Sequence, residues 1–188
     1  MVEDVGLRVV LSVLFAVTAV WFVLHGVRGG SWADRVCDGC HAAMSLAMVG
    51  MAWPAGMGRL VLPQVLVFAA ASVWFLLMAV LPPGRPPRHL EHTDGGPWLH
   101  WLHVAMMLAM VWMLLAMPHL HGGGAAPASW VLPGAVLLAL LLAGTALSVR
   151  ATVPLLRRTP GRRPPAWHLA HVAMGAGMAA MVAPVLLT

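Results

Sequence analysis

The chain has 188 residues, 61% of them hydrophobic and 9% charged, with a mean hydropathy of +0.86. Soluble domains run near half apolar and about a quarter charged, so these values exclude a soluble globular protein, a disordered chain and a nucleic-acid binder. The net charge of +5 comes from 11 basic residues against 6 acidic ones, and every basic residue is arginine; position rather than total therefore carries the information, because basic loops orient a bilayer protein.

Six apolar stretches of membrane-spanning length follow one another, and roughly 20 residues at 1.5 Å each cross the hydrocarbon. The first covers about 7–27; preceded by Glu3 and Asp4, it reads as a span rather than a cleavable leader. The second, about 36–53, is the least apolar. The third to sixth cover about 62–81, 98–117, 130–150 and 167–187. Pro-, Gly- and Arg-rich breaks separate them, and Trp32, Trp53, Trp98, Trp130 and Trp167 mark the ends as an interfacial belt would. Backbone groups in lipid must bond internally, which makes each stretch a helix. Arg28, Arg35, Arg85, Arg88, Arg150, Arg157, Arg158, Arg162 and Arg163 follow the odd spans, against Arg8 and Arg59 on the other side. Both termini are therefore expected outside and the Arg-rich loops in the cytoplasm.

Spans two, four and six repeat one pattern. The first copy reads Asp38-Gly39-Cys40-His41, then Met44, Met48 and Met51; the second reads His100-Trp101-Leu102-His103, then Met106, Met110 and Met113; the third reads His168-Leu169-Ala170-His171, then Met174, Met178 and Met181. With the central His as zero, Met stands at +3, +7 and +10 in every copy. The odd spans repeat more weakly: Leu14-Phe15-Ala16 to Trp21-Phe22 matches Val67-Phe68-Ala69 to Trp74-Phe75. The expected fold is an all-α integral membrane protein, a single domain over 1–188 built of three helical hairpins (about 7–56, 62–117 and 130–187) around a pseudo-threefold axis.

Offsets 0, +3, +7 and +10 are the a and d positions of a heptad and share one helix seam. Three parallel copies would stack rings on the axis: Asp38/His100/His168, His41/His103/His171, Met44/Met106/Met174, Met48/Met110/Met178 and Met51/Met113/Met181. A single Met in an apolar helix is ordinarily adaptable filler, and a lone intramembrane His is often hydrogen-bonded to a neighbouring helix. Twelve matched positions, with ionisable groups held at membrane depth, point instead to a site. Thioether is a soft, uncharged ligand that favours Cu(I); the His/Asp rings are harder and also suit Zn or Fe.

Outside the rings, Met57, Met117, His119 and His121 stand near the expected outer mouth. Cys37 and Cys40, beside His41, are read either as thiolate ligands for Cu(I) or as small buried side chains. His25 reads as interfacial, and His89 and His92 as solvated in an Arg-rich loop. Asp38 serves either a ring or the positive N-terminus of its helix.

The strings "MSLAM" and "MAWP" between Met44 and Pro54, and "HVAMMLAMVWM" from His103, resemble a family of multi-pass actinobacterial membrane proteins with a domain of unknown function; the resemblance covers most of the chain and implies a bacterial inner membrane. The pairs Met44/Met48, Met106/Met110 and Met174/Met178 are similar to the Met-x-x-x-Met pair of the eukaryotic Ctr copper transporters, where three subunits set such pairs around a threefold axis. That resemblance, of motif and symmetry only, implies a selectivity filter supplied here by one chain.

The expectation is a Cu(I)-binding membrane protein, a channel or transporter that exchanges ligands with its ion without chemical turnover and that a cytoplasmic or extracellular copper carrier serves. Three alternatives stand beside it: a membrane metalloenzyme with a mono- or dinuclear His/Asp centre, a haem protein with axial His ligands, and a metal-free structural protein whose Met face docks another helix.

Overall fold

The computed structural model describes residues 4–28, 31–53, 60–81, 98–120, 128–158 and 166–187. These form six α-helices: α1 Val5–Val27, α2 Trp32–Ala52, α3 Val61–Val80, α4 Trp98–Leu120, α5 Ala128–Arg158 and α6 Ala166–Leu187. Local chemistry sets several ends. Asp4 caps α1, its carboxylate accepting from the Leu7 N–H at 2.7 Å. The start of α2 comes four residues before the apolar pattern because Ser31 and Asp34 form a capping box. The Ser31 hydroxyl accepts from the Asp34 N–H, and the Asp34 carboxylate accepts from the Ser31 N–H at 2.8 Å. Two of the orphan donors of the first turn are thereby satisfied.

The longest contacts run between chain neighbours: α1 lies along α2, α3 along α4 and α5 along α6, with α4 also against α5. Thinner contacts join α1 to α6, α2 to α3 and α4 to α6. The odd helices turn rows of large apolar side chains outward, among them Val13, Val17 and Val20 on α1, Leu66 and Val73 on α3, and Leu140 and Leu147 on α5. Apolar surface this continuous is a lipid-facing or partner-facing surface rather than a wetted one. Among the described residues, three helical stretches are long and apolar enough to cross a membrane: Val5–Val27, Val61–Val80 and Ser129–Val153. Six were expected. The described parts of α4 and α6, His100–Ala116 and Leu169–Ala183, are apolar but shorter, and α2 carries Asp34, Arg35, Asp38 and His41.

Glycines let helices approach where large side chains must fit. Phe15 of α1, fully buried, lies over Gly177 of α6, where a Cβ would come within 2.6 Å of the ring. Leu102 of α4 covers Gly144 of α5 in the same way, and Thr145 of α5 covers Gly175 of α6. Polar links reinforce the pairs. Thr18 of α1 donates to the Ser45 hydroxyl of α2 at 3.2 Å, Trp53 at the end of α2 donates to Ser12 at 3.0 Å, and Trp112 of α4 donates to the Trp130 carbonyl of α5 at 3.1 Å. The core so enclosed is drawn mostly from α2, α4 and α6, with Phe15 and Phe22 of α1, Phe68 and Phe75 of α3 and Leu141 of α5. All nine repeat methionines lie in it, none more than 4% exposed, within one continuous apolar cluster.

Candidate metal centre

The central histidine of each repeat comes from a different helix: His41 from α2, His103 from α4 and His171 from α6. All three are buried, and their ligating nitrogens lie within 4.8 Å of one another. Their rings meet edge to face, with centroids 4.7 Å apart for His41 and His171, 4.8 Å for His41 and His103, and 5.2 Å for His103 and His171. Among the described residues this is the one trio of His, Cys, Asp or Glu side chains that converges so closely.

The hydrogen bonds fix what the rings can do. Nδ1 of His41 is 2.7 Å from the Cys37 carbonyl one turn back on α2. A carbonyl only accepts, so Nδ1 carries the proton and Nε2 of the neutral ring is a lone-pair donor aimed at the other two histidines. A backbone carbonyl on the far nitrogen is the usual support of a metal-ligating imidazole. Nε2 of His103 and Nε2 of His171 are 3.1 Å apart. Without an ion one of them donates to the other. Metal–nitrogen bonds of about 2.0–2.1 Å at tetrahedral to trigonal angles put two ligand nitrogens about 3.3–3.6 Å apart, so this pair is set within a few tenths of an ångström of a shared ion. Three converging imidazoles are a donor set suited to Cu, Zn or Fe. The same packing opposes haem, since the imidazoles touch one another and leave no slot for a macrocycle between them.

Two phenylalanines wall the trio. Phe22 of α1 stacks on His41 (4.8 Å, 22°) and turns its edge to His171. Phe75 of α3 stacks on His103 (4.9 Å, 13°) and meets His41 edge-on. Each fixes an imidazole plane and keeps water from one side. Sequence reading missed both as site residues, although Trp21-Phe22 and Trp74-Phe75 were the matched ends of the odd-helix repeat.

The other expected ligands divide. Met44, Met48, Met51, Met106, Met110, Met113, Met174, Met178 and Met181 are all in the core that continues from the histidines. Asp38 lies one turn before His41, and its carboxylate meets Nδ1 of His25 from α1 at 2.8 Å. His25 was read as merely interfacial. His100 is half-buried one turn before His103, outside the close trio. His168 lies on α6, and Met117 and His119 on α4, with side chains outside the described residues; Met57, His89, His92 and His121 lie outside them altogether. Cys37 is buried and Cys40 half-buried, both as free thiols.

A bundle of apolar helices around a buried trio of imidazoles places the chain among helical, membrane-type proteins with a candidate metal centre. Residues 33–185 match the family model described as Domain of unknown function (DUF5134), and the chain belongs to that family. It is 35% identical over 118 residues to uncharacterized proteins of Mycobacterium tuberculosis and Mycobacterium bovis, a match covering 62% of this chain and 52% of each relative. The chain thus spans about half the length of the curated relatives it matches. No solved structure matches. The family match contains all three central histidines and all nine repeat methionines.

Proposed function

We propose that the protein is a six-span bundle of the bacterial cytoplasmic membrane that binds Cu(I) at His41, His103 and His171 and passes it along the buried methionines. The observation that carries this reading is the convergence of the three repeat histidines, with His103 and His171 at 3.1 Å through their Nε2 atoms. In this reading the three hairpins stand around a pseudo-threefold axis. The pairwise packing of α1 with α2, α3 with α4 and α5 with α6, and the contacts that join successive pairs, support it. The helix rise then sets Met at about 4.5, 10.5 and 15 Å beyond each histidine, a series of soft sites weak enough to release the ion they admit. Both termini lie outside, and a soluble copper carrier meets the bundle at one face. The similarity of the Met-x-x-x-Met pairs to the Ctr filter belongs to this reading as convergent chemistry.

The test is a titration of detergent-purified protein with Cu(I), and with Ag(I) as its redox-silent mimic, against a chromophoric chelator. One tight site is expected, and His103→Ala should weaken it by at least about 100-fold, the loss typical of disturbed metal ligation. A protein that takes up neither ion refutes the proposal. A static centre is the second reading, favoured by the close fit of the trio to a single ion. It predicts metal in the histidines and no movement of ion across a sealed vesicle.

A further inference from the structure

A small cavity opens beside the trio at the end of the bundle where α1 finishes and α2 begins. Trp21, His25, Cys37 and Asp38 line its outer part, and His41 and His171 its inner part. We propose that this cavity is the port by which a transition-metal cation reaches and leaves the trio, with His25 and Asp38 as its transfer ligands; the inference rests on the trio being a metal site.

Exposure falls sharply behind the first residue: the His25 side chain is 47% exposed, while Asp38, His41 and His171 are 6%, 2% and 6% exposed. The Asp38 carboxylate accepts from Nδ1–H of His25 at 2.8 Å. That bond leaves Nε2 of His25 as the lone-pair nitrogen, and a carboxylate behind an imidazole raises its basicity as a ligand. Trp21 stacks on His25 (5.1 Å, 14°) and holds the ring in that orientation. Asp38 comes next inward, packed where Gly26 has no side chain: a Cβ there would lie 3.2 Å from the Asp38 Cβ. One turn further on α2 stands His41, whose Nε2 is the lone-pair donor.

The cavity holds about 10 Å³, room for about one water-sized particle. A hydrated ion does not fit. A cation that has exchanged its waters for the His25 imidazole and then the Asp38 carboxylate does, and the carboxylate supplies the negative charge that an apolar passage otherwise lacks. Phe22, which also lines the cavity, stacks on His41, and Phe75 stacks on His103 on the α3 side. The pair differs from the other repeats: Met78 stands at the position matching His25 in the second, and the positions matching Asp38 are His100 and His168. A single chain has therefore broken its internal symmetry at one corner, as a port requires and a purely structural ring does not.

The experiment follows Ag(I) loading from a weak chelator and unloading to a strong one by stopped flow, on the full chain in detergent. Asp38→Asn is expected to slow both rates about tenfold while equilibrium affinity stays within about threefold, a difference well under 1.4 kcal/mol. Rates within twofold of the wild type's would overturn the port. A fall in affinity as deep as that of His103→Ala would overturn it too, by making Asp38 part of the resting site. His25→Gln, which keeps a polar side chain at the half-exposed position, carries the same rate test should the Asp38 variant lose its helical circular dichroism. A wild-type protein that binds no Ag(I) sinks the metal reading and the port together; tight wild-type binding with unchanged variant rates sinks the port alone.

Discussion

The hydrogen bond from His41 to the Cys37 carbonyl commits one nitrogen of that ring, and the contact between His103 and His171 places two more nitrogens face to face. Metal ligation uses neutral imidazole, so protons compete for the same lone pairs. Affinity for Ag(I) is expected to fall on acidification, as protons compete with the ion for the imidazole lone pairs. Chelator competition between about pH 5 and 8 measures this, and a flat profile would place the ion on the thioethers instead. The three converging histidines were legible in the sequence because each stands three residues before the same Met series, at one register of one seam. His25 was not legible, because its partner Asp38 is 13 residues away across a turn between helices and no periodicity links the two. Phe22 and Phe75 were visible only as repeat markers. Their role depends on how an odd helix leans over the histidine of its neighbour, which helical spacing does not encode.

At the scale of the helix, the spans were readable from apolar runs and their Pro- and Gly-rich breaks, and five of the six begin within two residues of where the pattern places them. The exception, α2, starts early because its capping box lies in a polar stretch that a hydropathy reading assigns to the loop. The pattern also ends α5 at Arg150, whereas the helix continues to Arg158. Helix contacts were less legible, since a glycine marks a place of close approach without naming what approaches. Phe15 over Gly177 is such a case, and it joins α1 to α6. Gly177→Ala is expected to destabilise the bundle by about 1–3 kcal/mol, as overpacking does. In the double variant with Phe15→Ala the two costs should fall well short of their sum, read as thermal unfolding in detergent. Additive losses would mean that the contact does not constrain the helices.

Across the whole molecule, the polar and soft ligating groups gather on the even helices and the lipid-like surface on the odd ones, so the centre is screened by a second layer of chain. That division explains why α2, the least apolar of the helices, nevertheless packs its polar groups inward. Replacing Met44, Met106 and Met174 together with Leu conserves volume and apolar character and removes three thioethers. Ag(I) uptake into proteoliposomes is expected to drop by at least about tenfold, with the histidine site still loading in detergent; unchanged uptake would show that the methionines serve as packing. The trio also has a consequence for biogenesis. Its histidines lie on α2, α4 and α6, and the contacts of α1 with α6 form only after the five described helices before α6 have been made. Under the proposed copper reading, a growing polypeptide holding two of the three imidazoles is an incomplete chelate, so the full donor set arises only once α6 has been made.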